Sequence, residues 1–231
     1  MPKITLLGQS AVLLEGEKTK CVIDPFINGN PDITYGLKPS DIKVDYVLVT
    51  HGHWDHLGDA IEIAKNTGAT LIAPFELVAF CQSKGVQNAH PMHIGGAHRF
   101  SDDFWVKLTI AHHGSAFIDD KGNITYTGNP CGFVVELDGK KIYHSGDTGL
   151  FLDMQLIGEL GLDVAMIPIG DNFTMGPEDG AKAVEFLKPK IVIPMHYTAW
   201  DLIKQDPNYF VNLVGDKAEV KLLKPGESLE I

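Results

Sequence analysis

The chain has 231 residues, 44% of them apolar, and a formal net charge of -11, which suits one domain with a substantial core. With that charge and no basic run, a phosphodiester polymer would be repelled at long range, which argues against nucleic acid as a partner. No apolar stretch approaches membrane length, and Met1-Pro2-Lys3-Ile4 enters an apolar run without a charged leader, so the sequence predicts a cytoplasmic protein with no membrane association.

In chain order, Lys3 to Leu7, Ala11 to Glu15 and Lys20 to Ile23 read as a meander of short strands separated by Gly8 and by Gly16-Glu17-Lys18. Asn28 to Pro39 is rich in turn residues, and the loop from Ile27 to Pro39 is expected to reach over a pocket as a lid. Val44 to Val49 is an apolar strand. Leu57, Ala60, Ile61 and Ala64 fall on one helical face that Gly68 closes, Thr70 to Ala73 resumes a strand, and Phe75 to Lys84 continues as a helix. His90 to Gly96 reads as irregular, with His90 and His98 on solvated loops. Phe104 to Ile110 is a strand, and Cys131 to Leu137 with Lys141 to His144 forms a hairpin about Asp138-Gly139. A short helix around Met154 to Leu160, a buried strand Val164 to Ile169, a helix opened by Pro177, a strand Ile191 to Met195 and a helix capped by Asp206-Pro207 follow, with closing strands at Glu219 to Leu223 and Ser228 to Ile231. Cys21, Cys81 and Cys131 are odd in number and sit in apolar surroundings, which predicts buried thiols rather than disulfides or a thiolate metal site.

The chemistry concentrates in His51-Gly52-His53-Trp54-Asp55-His56, directly after an apolar strand. His51 and His53 are two apart, so in extended chain they point to one side and can grip one ion, whereas Asp55 and His56 open a helix and diverge, which invites a second ion. His51, the His112-His113 pair, Asp147 and His196 each follow an apolar strand, so strand ends from both parts of the chain could meet along one edge. Neighbours on a strand face opposite ways, and spacing alone leaves His112 and His113 both open. Imidazole and carboxylate donors suit zinc, manganese, iron or nickel, and no thiolate selects among them.

The His-x-His-x-Asp-His stretch resembles the signature of the metallo-β-lactamase superfamily. From Val22-Ile23-Asp24-Pro25-Phe26 to Pro194-Met195-His196-Tyr197 the whole chain resembles a single-domain branch of metal-dependent hydrolases related to ascorbate-phosphate lactonases. Pattern alone supports only mixed α and β; the resemblance implies an α/β (α+β) fold, a four-layer αββα sandwich, here one domain over residues 1–231 made of two αβ halves, about 1–115 and 116–231. It also implies a binuclear centre: His51, His53 and His113 on one divalent ion, Asp55, His56 and His196 on the other, and Asp147 bridging. His113 is preferred over His112 for its Gly114-Ser115 continuation.

A hydroxide held between two ions would then attack a small ester, lactone or phosphoester, with Asp55 assigned to catalysis. Asp24, His93, His144, Asn172 and Tyr197 are further candidates for the pocket or for supporting ligands. Gln9 departs from relatives that carry histidine in this Gly-x-Ser context, and its role is left open. The expected partner is a small molecule, with a homo-oligomer left open. The competing readings are a catalytically silent metal-binding sensor or scaffold, which would present no accessible pocket, and an RNA phosphodiesterase, which would want a basic surface the chain does not show.

Overall fold

A computed structural model describes all residues, 1–231. Two seven-stranded sheets face one another. The first runs in the spatial order Ser228–Glu230, Lys3–Gly8, Ala11–Glu15, Lys20–Ile23, Tyr46–Leu48, Thr70–Pro74, Ala89–Met92, antiparallel through its first four strands and parallel through its last four. The second runs Glu219–Val220, Ile191–Met195, Val164–Pro168, Lys140–His144, Cys131–Leu137, Phe104–Ile110, Ala97–Arg99, parallel through its first four strands and antiparallel through the rest.

Three apolar cores make this four layers. Between the sheets lie Ile4, Leu6, Val12 and Leu14 from one side and Phe104, Val106, Phe133 and Val135 from the other. The outer face of the first sheet is covered by the helices Ala60–Thr67 and Phe75–Ser83, through Ile63, Leu77 and Val78. The outer face of the second is covered by Met154–Gly158, Pro177–Leu187 and Pro207–Val214, through Met154, Val184 and Phe210. In Cys131–Leu137 the residues Cys131, Phe133 and Val135 point between the sheets while Val134 points to the helices. With both faces buried, such strands read as continuous apolar runs rather than as alternation. No helix is long and apolar enough to cross a membrane.

Most expected elements are present, and the local chemistry explains them. Asp138 and Gly139 both take positive φ, 49° and 76°, as the tight hairpin requires. Gly68 closes its helix in the left-handed conformation, and the Asp206 side chain accepts a hydrogen bond from the Asn208 N–H at 2.9 Å to cap the last helix. All three cysteines are free and buried, and burial pushes the Cys81 thiol up to about 12.

Two expectations change. Ala89–Met92 and Ala97–Arg99 are edge strands of opposite sheets, not loops, and the His90 and His98 rings lie 4.5 Å apart on them. The sheets therefore exchange at residues 93–96, ahead of the boundary drawn near 115, and Ser228–Glu230 returns to the first sheet. Before Cys131, where the sequence reading assigned no element, Ala116–Ile118 and Ile124–Tyr126 form a separate two-stranded hairpin.

Candidate metal centre

The parallel strands Tyr46–Leu48, Lys140–His144 and Ile191–Met195 all end at one edge of the sandwich, and Phe104–Ile110 ends there as well. Just beyond these ends the structure brings together His51, His53, Asp55, His56, His113, Asp147 and His196. The His51 Nε2 to His53 Nδ1 distance is 3.0 Å, and His113 Nε2 is 3.3 Å from the same His53 nitrogen. Asp147 Oδ2 is 3.3 Å from His56 Nε2, 3.2 Å from His196 Nε2 and 3.7 Å from His113 Nε2. Asp55 Oδ2 is 3.6 Å from both His56 Nε2 and His196 Nε2.

Three overlapping sets could hold a metal ion, with one donor atom per residue and all atoms of a set within 4.8 Å: His51, His53 and His113; His51, His56 and Asp147; Asp55, His56 and His196. The donor atoms fit such a role. His56 Nε2, His196 Nε2 and Asp147 Oδ1 are buried and have no hydrogen-bond partner, a cost of about 1–3 kcal/mol each that a bound cation would remove.

The surrounding hydrogen bonds aim these lone pairs. Asp24, fully buried with φ 47°, accepts from the Thr50 N–H at 2.8 Å, the Thr50 hydroxyl at 2.7 Å and His56 Nδ1–H at 2.8 Å. Because the Thr50 hydroxyl gives its one proton to Asp24, it must accept from His51 Nδ1–H, 2.9 Å away. One carboxylate thus fixes the tautomers of two histidines, one directly and one through a hydroxyl, leaving both Nε2 atoms free to ligate.

Backbone geometry supplies the rest. A Cβ on Gly52 would come within 2.2 Å of Thr127 Oγ1, so only glycine lets His51 and His53 approach as they do, and Ser115 Oγ accepts from the Gly52 N–H at 3.2 Å. Gly146 takes φ 61°, and a Cβ there would lie 2.6 Å from the Cys131 carbonyl oxygen. His196 holds φ 58°, a strained conformation for a large side chain, secured by its N–H donating to the Gln9 carbonyl at 3.2 Å.

Across the site the titrations diverge. Burial, then the neighbouring His56, hold His51 well below the usual histidine range. Burial also opposes charge on His56, but Asp147, Asp55 and Asp24 outweigh it and raise His56 well above that range; His196, buried beside Asp147, is likewise raised, to about 9. Burial would raise Asp147, yet His196 and His56 hold it well below the carboxylate range.

The other candidates divide. His112 is exposed, with its ring stacked on Phe151 at 5.0 Å and turned to a different partner from that of His113. His144 is not pocket-facing. It accepts from the Gly146 N–H at Nδ1 and donates from Nε2 to the Ser10 carbonyl at 2.9 Å, pinning the turn that carries Asp147. His93 is exposed, stacks on Phe75 at 5.8 Å and lines a separate cleft with Glu76 and Tyr126. Asn172 is an exposed turn residue at φ 49°, and Tyr197 is buried in the core beneath the helices.

Residues 27–39 do not cover the metal pocket. Asp32 Oδ2 accepts from the Gln9 N–H and the Thr198 hydroxyl, and the Tyr35 hydroxyl donates to the Leu7 carbonyl, so the loop is tied down at the side. Gln9 acquires a role that the sequence left open: its Nε2 donates to Asp55 Oδ2 at 3.3 Å. The pocket over the ligands holds about 410 Å³ and is walled by Trp54, Ile118, Phe173, Trp200 and Leu202. Of these, Trp54 stands inside the His51 to His56 stretch, where only its ligand neighbours drew notice, and the others lie on a hairpin, on turns and on a short 3-10 helix that no motif marks.

The β-lactamase superfamily domain matches residues 3–196, and the chain belongs to the metallo-β-lactamase superfamily. Within it, the chain is 55% identical over 99% of its length to the whole of a UPF0173 metal-dependent hydrolase from Pelotomaculum thermopropionicum, and 52% identical over 99% of its length to the whole of another from Geobacillus sp.. The solved structure of Igni18, a metallo hydrolase from the hyperthermophilic archaeon Ignicoccus hospitalis, superposes with a TM-score of 0.89 at 37% identity, covering 100% of this chain and 99% of that one. An isothiocyanate hydrolase from Delia radicum gut bacteria shares the fold with a TM-score of 0.77 at 20% identity, covering 99% of this chain and 98% of that one. The protein is a metal-dependent hydrolase of this superfamily.

Proposed function

We propose that the protein is a binuclear hydrolase of a small ester, lactone or phosphoester, with His51, His53 and His113 on one divalent ion, Asp55, His56 and His196 on the second, and Asp147 between them. The observation that carries this reading is the meeting of seven nitrogen and oxygen donors, several of them buried without partners, at the floor of an open pocket. When bound, two such ions supply a hydroxide nucleophile at neutral pH and a Lewis acid for the substrate oxygen.

The chain's own groups do the positioning. Asp24 and Thr50 hold the His51 and His56 rings with Nε2 toward the centre. Asp55, steadied by Gln9 Nε2, presents a carboxylate at the pocket floor that can accept a proton from the attacking water and return it to the leaving group. Trp54, Ile118, Phe173 and Leu202 exclude water around the reacting bond, which strengthens every charge interaction below them. An accessible pocket with Asp55 and Asp147 both facing it favours this reading over a silent scaffold.

Elemental analysis after incubation with zinc or manganese, paired with an ester and phosphoester screen, tests it. The expected result is up to two ions per chain, chelator-sensitive, with turnover that follows metal content. Less than one tightly bound or restorable ion would overturn the binuclear assignment.

A further inference from the structure

Above the metal ligands the pocket has a character of its own. Trp54, Ile118, Phe173 and Leu202 are 58%, 57%, 53% and 68% exposed, an uncommon concentration of large apolar side chains around one opening, and half-buried Trp200 joins them. The two indoles are braced. Phe26, only 2% exposed, meets Trp54 edge-on at 5.1 Å and stacks on Trp200 at 6.4 Å, while the indoles themselves lie 5.4 Å apart. Trp54 is also the first residue of the helix Trp54–Leu57 that carries Asp55, so an aromatic face and a floor carboxylate come from a single turn.

No lysine or arginine lines this pocket, and its only acidic side chains are the carboxylates of Asp55 and Asp147. Sites for phosphate groups ordinarily supply guanidinium or ammonium donors. Here an anionic group placed anywhere above the floor would face aromatic surface in a chain of net charge -11. Ions at the floor would themselves hold a reacting oxyanion, so the lining bears on the rest of the substrate. Resting on the hydrolase reading above, we infer that the substrate is an uncharged acyl derivative, an ester or lactone with an aromatic or branched apolar body, rather than one that carries an anionic group away from the reacting bond. The body lies against the Trp54–Trp200 wall and the Phe173 and Leu202 rim, while the acyl group reaches the floor.

Binding can be read without turnover. Trp54 and Trp200 are two of three tryptophans, and the third, Trp105, packs beneath the helices on the far face of its sheet, so tryptophan emission in a Trp105→Phe background reports on the pocket. Neutral 2-phenylacetamide and dianionic phenyl phosphate, which share a ring, are titrated into chelator-treated and zinc-supplied protein. The expected result is that the amide binds at least about tenfold more tightly than the phosphate to the chelator-treated protein, where the lining alone decides, and that zinc narrows the gap by holding the phosphate. Trp54→Ala or Trp200→Ala should weaken the amide about tenfold, the loss of one braced aromatic contact.

Phe173→Lys, on the exposed rim where folding tolerates it, should shift the preference toward phenyl phosphate, and it carries the test if an indole variant fails to fold. Phenyl phosphate binding the chelator-treated protein as tightly as the amide, amide binding that ignores both indoles, or a rim lysine that leaves the ratio unchanged would each overturn the inference. If the amide binds as expected but no aryl ester is turned over by metal-loaded protein, the hydrolytic reading falls and the ligand class stands. Turnover of aryl phosphates without dependence on either tryptophan does the reverse.

Discussion

The floor and the rim of the pocket are built on opposite principles. At the floor, His51, His56, Asp147 and His196 are 3% exposed or less, and each is fixed by neighbours that are themselves buried, such as Asp24, Thr50 and the Gly146 turn. At the rim, Trp54, Ile118, Phe173 and Leu202 are more than half exposed and come from a helix start, a hairpin, a turn and a short 3-10 helix. Burial makes the floor intolerant, because every unpaired donor there costs free energy. Exposure leaves the rim free to vary at little cost in stability. Under the function proposed above, reaction type belongs to the floor and substrate choice to the rim, and each prediction below probes that division.

The largest expected effect is at the point where floor meets pocket. Asp55→Asn keeps the shape and removes the charge, and should lower kcat about 100-fold or more while His51 and His53 keep the first ion. Steady-state rates measured with metal content on the same samples, with excess metal supplied, decide it; an unchanged kcat would remove Asp55 from the chemistry, and loss of both ions would make it structural.

One shell deeper, Asp24→Asn sets an amide N–H2 against groups that all donate, the Thr50 N–H, the Thr50 hydroxyl and His56 Nδ1–H. Metal affinity should fall about 10–100-fold although Asp24 touches no donor nitrogen aimed at the ions. Competition with a fluorescent chelator measures this, and an affinity within twofold of the parent would show that the tautomers are set some other way.

His113→Ala should weaken metal retention about tenfold or more. His112→Ala, which removes a ring stacked on Phe151, should leave it nearly unchanged. Equal losses in metal titrations would show that the two side chains were assigned to the wrong faces.

The smallest effect is a dependence on pH. Histidines held low in the folded chain, His51, His53, His113 and His144, take up protons on unfolding below about 6.5, so stability rises with pH up to that point. His56 and His196 are raised, so their contribution is fully present below about 6.5 and is lost as pH climbs toward the folded value, about 9 for His196. Metal-free protein should accordingly show a melting temperature that peaks between about pH 6 and 7 and declines toward pH 9. Zinc-loaded protein should not share the alkaline decline, because ligand deprotonation favours the bound ion. Parallel melting profiles in the two forms would count against any role for these six histidines.

Much of the floor was legible in the sequence because its residues are chemically conspicuous and stand in fixed places relative to apolar runs. The His51 to His56 stretch follows one strand end, and Asp147 and His196 follow two others, so their convergence needed only strand order. His144 was a candidate for the pocket or for supporting a ligand, and it lies outside the pocket while holding the turn that carries Asp147. Its three-residue offset from Asp147 on a strand says nothing of the Gly146 turn, in which the backbone reverses and gives the ring to Ser10. The loop 27–39 was expected above the pocket because turn-rich composition signals mobility. What holds it aside is Asp32, whose partners Gln9 and Thr198 lie 23 and 166 residues away.

By itself the sequence determined which residues can donate, a mixed α and β chain and the strand ends those residues follow, since residue type, apolar periodicity and strand ends are local properties; the αββα layering and the preference for His113 came with the family resemblance. Tertiary structure alone decided which lone pairs face inward, through Asp24 and Thr50, and gave Gln9 its contact with Asp55. It also decided what surrounds the opening, where Trp54 and Trp200, 146 positions apart, meet through Phe26. The reason is physical: a ligand's identity is written in one residue, but its direction and its surroundings depend on contacts between segments that only folding brings within a few ångströms.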